Sequence, residues 1–256
     1  SVEGSGGLNA FHFFTSYRIF PGLALGLSGK YLFGKIEEQW RVNFLSSAFY
    51  DSKDQFITYN RGLSMTAGLM VHPFSGLSIG AAFTPTVKLN NDTQTQYAFM
   101  SESESTPGSL RIPGWWGAGL SYQFRYGVVA FDYLRREWEE LTINGQKISG
   151  SRNTDELSFG TEWMGNDNSS SFLRRVAYRI GYAHQPFYVT DRDGHAFNTR
   201  WLTFGLGIPL LGRQSQVDLA FGVGWRGSVE INGLSESLFR FSLSLTGAEE
   251  WFTRRY

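Results

Sequence analysis

The chain has 256 residues, with 23 basic and 23 acidic side chains and no cysteine. Zero formal net charge and a pI near 6.9 argue against a nucleic-acid binder, which carries a basic patch or stripe. Without cysteine there is neither a disulfide framework nor a thiolate metal or redox site. Aromatics reach 16% and glycines number 30, yet no apolar run is long enough for a spanning helix.

Period-two alternation fills the chain, and successive side chains of a strand point to opposite faces. Leu77, Ile79, Ala81 and Phe83 alternate with Ser78, Gly80, Ala82 and Thr84. Leu202, Phe204, Leu206 and Ile208 alternate with Thr203, Gly205 and Gly207, and Phe239, Phe241, Leu243 and Leu245 with Arg240, Ser242, Ser244 and Thr246. One face is greasy and the other small. In chain order the pattern predicts about eleven strands, near 8–20, 23–44, 57–73, 77–89, 114–125, 128–143, 156–165, 172–184, 200–210, 216–228 and 237–247. The second is long enough to project beyond a membrane.

The links between them alternate in length. Short ones fall at Pro21-Gly22, Ser75-Gly76, Arg125-Tyr126-Gly127, a polar stretch near Gly165–Ser171, and Leu211-Gly212-Arg213. Long polar ones fall at about 45–56, 90–113, 144–155, 185–199 and 229–236, the second carrying Ser101-Glu102-Ser103-Glu104-Ser105. Short turns at one end and long loops at the other match an outer-membrane barrel. Tyr17, Phe20, Phe74, Phe124, Tyr126 and Phe172 lie by the short turns, and Tyr133, Trp138, Tyr182, Trp201 and Trp225 nearer the long loops, read as two interfacial belts or as the ordinary aromatics that sheets favour. The fold expected is an all-β, antiparallel transmembrane β-barrel forming a single domain over 1–256. A soluble all-β protein is the rival, but its wet face would carry longer charged side chains than Gly, Ala and Ser.

Eleven strands place the segment Ser1–Gly7 on the long-loop side and the end of the chain on the short-turn side. Single-chain bacterial barrels have even strand numbers. The expectation is therefore a C-terminal portion of a longer barrel, with an odd number of strands preceding Ser1.

Particular segments resemble FadL-like outer-membrane proteins, a family that spans fatty-acid transporters, aromatic-hydrocarbon channels and PorV-type proteins. They are Gly224-Trp225-Arg226-Gly227, Glu236, and Ala248-Glu249-Glu250-Trp251-Phe252-Thr253-Arg254-Arg255 at the end. Pro113-Gly114-Trp115-Trp116-Gly117-Ala118-Gly119-Leu120 with Asp132, Tyr133 and Trp138, and Pro21–Leu27, are similar to mid-barrel and early hairpins of the family. The resemblance implies fourteen strands and an N-terminal plug, so that three strands are missing here. The family's Asn-Pro-Ala signature is absent, and no ligand or gating residue carries over.

Alternation aims Lys30, Asp132, Glu162, Arg179, Asp218, Arg226 and Arg240 at the small-residue face. They are a lumen lining, read either as a selectivity filter or, as mixed signs favour, a network of ion pairs. Tyr97, Phe99 and Met100 in one long loop, and Phe187, Tyr188 and Phe197 in another, are candidates for capturing an apolar solute or for packing on each other. Asp191-Arg192-Asp193-Gly194-His195 lacks the ligand series of a calcium loop and reads as an Asx turn. His12, His72, His184 and His195 have no metal-ligand spacing, and no Gly-x-Ser-x-Gly is present. His184, Asp191 and His195 form the one cluster in which catalysis could be sought. The expectation is a non-enzymatic protein of the bacterial outer membrane with no cofactor or metal. Its partners would be outer-membrane lipid, a hydrophobic ligand or detergent, and proteins of an outer-membrane complex. Passive passage of hydrophobic compounds is the leading reading, and a PorV-like scaffold the alternative.

Overall fold

The computed structural model describes residues 1–44, 50–100, 103–166, 169–210 and 215–247. The turn expected at Leu211-Gly212-Arg213 and the terminal motif at 248–255 lie outside these residues. All strands join one antiparallel sheet. The wall begins with three long strands, β1 (Val2–Phe20), β2 (Leu23–Val42) and β3 (Ser52–Val71). It continues through β4 (Leu77–Thr84), β5 (Val87–Gln96), β6 (Glu104–Ile112), β7 (Trp115–Phe124) and β8 (Gly127–Arg136). After a small hairpin, β9 (Thr142–Ile143) and β10 (Gln146–Lys147), come β11 (Thr154–Trp163), β12 (Ala177–Thr190), β13 (Ala196–Pro209), β14 (Ser215–Ser228) and β15 (Leu234–Gly247). Two short α-helices, α1 (Phe172–Arg175) and α2 (Val229–Asn232), and a 3-10 turn at Trp138–Glu140 sit in links. No helix among the described residues is long and apolar enough to cross a membrane, a test that does not bear on strands.

Register makes the two-faced pattern continuous. One row of paired residues runs Phe20, Leu23, Val71, Ile79, Leu120, Phe131, Phe159, Tyr182, Leu202, Val223 and Phe239 across the whole wall. Each member comes from a different strand, so an apolar belt is built from alternation alone. The neighbouring row on the other face reads Ala24, Met70, Gly80, Gly119, Asp132, Ser158, Ala183, Trp201 and Gly224. Among the described residues no second sheet covers the apolar face, and Phe204, Phe221, Phe241 and Leu243 remain 45–65% exposed. A soluble sandwich would bury that face. On β2 the outward apolar set runs from Leu23 to Phe33, which at ~3.3 Å per residue and ~45° tilt spans roughly 23 Å, the height of a lipid-facing band.

Several segments differ from the sequence expectation. Ser1–Gly7 is not a free extension: β1 starts at Val2 and pairs to Trp40. Residues 90–113, expected as a loop, are mostly β5 and β6, and 185–199 are largely the ends of β12 and β13. Their Thr, Asn, Gln and Ser carry no apolar alternation because the sheltered face is polar too, with Thr95 and Thr199 buried. The strand expected from 172 begins at Ala177, after α1. The strand expected at 77–89 is broken at Pro85-Thr86, since proline cannot donate to the ladder. A matching break at Pro113-Gly114 separates β6 from β7. Above the breaks β5, β6, β9 and β10 leave the wall as a side sheet hydrogen-bonded to upper β3. The pairing of β3 stops with β4 at Ala67–Phe83 and resumes with β5 at Arg61–Asn90. The split is filled by Thr84, Val87 and the fully buried Leu89, whose side chain lies where a Cβ on Gly62 would stand.

Along the wall, β4 with β5 and β6 with β7 each act as one interrupted strand, so eleven strands lie side by side. The ten antiparallel steps between them leave β1 and β15 running in the same direction, and neither has a further partner among the described residues.

Candidate functional site

The small-residue face is concave and carries several hollows, two of which adjoin. The larger, about 810 Å³, lies over β2, β3, β4, β7 and β8 and is walled by residues such as Ala24, Gly68, Met70, Gly80 and Ala82, with Ser16 of β1 at its rim. The second, about 400 Å³, lies over β8, β11 and β12, against Ser158, Gly160, Glu162, Arg179 and Gly181. Glycine at paired positions keeps this face low. Gly80 faces Gly119, and Gly160 faces Gly181.

All seven charged residues singled out from the sequence lie on this face. Arg179 of β12 is the hub. Its Nε donates to Glu162 on β11 at 2.5 Å and its Nη1 to Asp218 on β14 at 2.5 Å, bridging across β13 where Gly205 and Gly207 leave room. Gln216 also donates to Asp218. Higher on the wall Arg226 donates to Thr199 at 3.0 Å and approaches Glu236 at 3.5 Å. Arg240 has no carboxylate partner among the described residues. Its guanidinium stacks 4.7 Å from the ring of Trp201. Asp132 lies at the seam of the two hollows, and Lys30 sits opposite Ser64 on β3. The seven do not converge. Glu162, Arg179 and Asp218 form one group, and Lys30, Asp132, Arg226 and Arg240 are spread over β2, β8, β14 and β15.

Trp201 was expected in an outward belt. It points inward, is 9% exposed, and lies flat over Gly222 and Gly224, where a Cβ on Gly224 would come within 2.8 Å of its ring. The correction was available from parity, because Leu202 and Phe204 already face out. Parity also places Arg136 and Glu156 inward, 3.4 Å apart, a pair the sequence reading did not select.

The six capture candidates do not form one patch. Tyr97, Phe99 and Met100 cap the β5–β6 hairpin, and Tyr97 packs edge-on against Phe56, which packs on Trp40. Phe187 and Tyr188 belong to β12 and Phe197 to β13, not to a loop. Tyr188 stacks on Trp138, 4.3 Å between centroids. Asp191 closes an Asx turn, accepting the backbone N–H of Asp193 and His195, and its second oxygen accepts Asn232 Nδ2 at 3.0 Å, tying α2 to the β12–β13 turn. Asp191, Asp193 and His195 lie together at this turn, whereas His184 is placed mid-strand opposite Leu157 and Arg200.

Comparison with solved structures returns outer-membrane proteins. The CymD monoaromatic hydrocarbon channel is 16% identical with a TM-score of 0.60, over 98% of this chain and 76% of that one. A FadL homologue of Pseudomonas aeruginosa is 15% identical with a TM-score of 0.65, over 95% and 68%. The RagAB peptide transporter is 10% identical with a TM-score of 0.60, over 98% of this chain and 35% of that one. At such identities the likeness establishes the fold, a FadL-like barrel wall. A search of curated protein sequences finds no match. A family model described as BamG matches residues 1–256, and the chain belongs to the BamG family.

Proposed function

We propose that this chain forms the wall of a bacterial outer-membrane β-barrel that lets hydrophobic small molecules pass by a passive route. The observation that carries the reading is the pairing of an uncovered apolar belt across every strand of the wall with a concave, mostly uncharged hollow on the opposite face. Such a belt suits lipid and such a hollow suits an apolar solute. The hydrocarbon channels of like fold support the same direction. An open strand edge is not tolerated in hydrocarbon, where no water can satisfy its N–H and C=O groups. Because β1 and β15 are parallel to each other, an odd number of further antiparallel strands would close the wall, whether from this polypeptide or another. The Glu162–Arg179–Asp218 group is a brace across three strands in this reading, not a filter.

A second reading rests on the BamG match over the whole chain. In it the barrel is a subunit of an outer-membrane complex, and the side sheet above the wall is the contact. Two experiments separate them. Uptake of a labelled hydrophobic solute by intact cells should fall when the gene is deleted and return on complementation, and unchanged uptake would sink the transport reading. Purification in mild detergent should yield a lone barrel. Stoichiometric protein partners would favour the complex.

A further inference from the structure

The inference developed here rests on the reading that the wall takes apolar solutes, and it names their chemistry. On the inner face Glu162 and Asp218 share Arg179, Glu156 is held by Arg136, and Glu236 by Arg226. Asp132 differs. Among the described residues it makes no ion pair or hydrogen bond, and its neighbours across the strands are Gly119 and Ser158. Its carboxylate lies over Gly119, where a Cβ would collide with the oxygen. Arg136, four residues up the same strand, is already taken by Glu156. Among the described residues Asp132 is also the only charged one lining the hollow of about 810 Å³, whose other walls are mainly Gly, Ala, Leu and Ser.

We infer that this hollow binds an amphiphile with an apolar tail and a cationic head, an alkyl- or arylammonium, with Asp132 as the counter-ion. A neutral tail fits the volume and lining of an ordinary small-molecule site. The head decides the rest. An anionic head would meet a like charge, and a neutral one would strip water from the carboxylate with no charge returned. An ammonium replaces that water with a charge-assisted contact. A divalent metal ion is a poor alternative occupant, since one carboxylate beside Gly and Ser offers too few oxygen ligands.

The test uses the full protein in a maltoside detergent and three probes of equal tail length: decylammonium, decanol and decyl sulfate. Retention on the protein is measured against empty micelles by equilibrium dialysis. The expected result is that the ammonium binds about tenfold more tightly than decanol, with the sulfate weakest, the scale of one charge-assisted contact. Asp132→Asn should abolish the preference without lowering decanol binding, and Asp132→Glu should keep most of it. Equal binding of the three, or a preference that survives Asp132→Asn, overturns the charge inference and leaves the solute reading standing. If no probe binds above micelle background, both fall. Heat-modified migration on unheated gels verifies that each variant is folded.

Discussion

Below the breaks at Pro85 and Pro113 the wall obeys one rule, and above them it does not. In the lower part the outward face is apolar and the inner face mostly small, and the rows line up from β1 to β15. In the side sheet, Asn90, Asp92, Gln94 and Gln96 alternate with Asn91, Thr93 and Thr95, and the two faces are chemically alike. The difference is one of solvent. Lipid penalises any polar group on the outward face, whereas water tolerates either residue on either face. Only the lower part therefore carries a legible face code, and the sheet is free to split where that code ends.

This comparison can be broken most directly by moving a charge between the two parts. Phe204→Arg on the outward belt should cost about 2–4 kcal/mol and reduce the folded band on unheated gels, while Gln94→Arg in the side sheet should leave it unchanged. Equal effects would mean that the belt does not face lipid. Next in size is the inner packing. Gly224→Ala drives a Cβ into Trp201 and should destabilise by about 1–3 kcal/mol in a denaturant titration, with Gly4→Ala, which meets nothing, as the silent control. Removing the hub of the brace by Arg179→Met leaves Glu162 and Asp218 without their cation. The expected loss is about 1–2 kcal/mol, discounted because the Arg179 side chain is 36% exposed, and added salt should reduce it.

A smaller effect tests the split itself. Thr86 Oγ1 donates to Glu140 at 2.6 Å and accepts the Gly114 N–H at 3.1 Å, linking both breaks to the 137–153 segment. Thr86→Val should cost about 1 kcal/mol and speed amide exchange at Gly114 and over 137–141, with no change in the belt. The smallest expected effect is at the far turn. Asn232, followed by the backbone N–H groups of His195 and Asp193, holds the Asp191 carboxyl below its ordinary value of 3.8. A depressed folded value means that the order it supports is present above the unfolded value and lost as pH falls through the folded one. Exchange of the Asn232 side-chain amide should therefore accelerate only below the usual carboxylate range, and Asp191→Asn should remove that transition.

Alternation by itself determined the wall. The count of eleven adjacent strands, the identity of the greasy face and the inward aim of Asp132, Glu162, Arg179, Asp218 and Arg240 all follow from a period of two, because a strand has only two sides. Residue type misled where it overrode that period. Trp201 was assigned outward for being a tryptophan, although Leu202 beside it already fixed its side. What only the tertiary structure decided were relations between strands. Register brought Arg179 to Asp218 across β13, left Asp132 without an ion pair among the described residues, and folded β5 and β6 into a side sheet. None of these leaves a local signal, since hydrogen bonding between distant segments specifies register, and polar strands in water need no hydrophobic pattern to form.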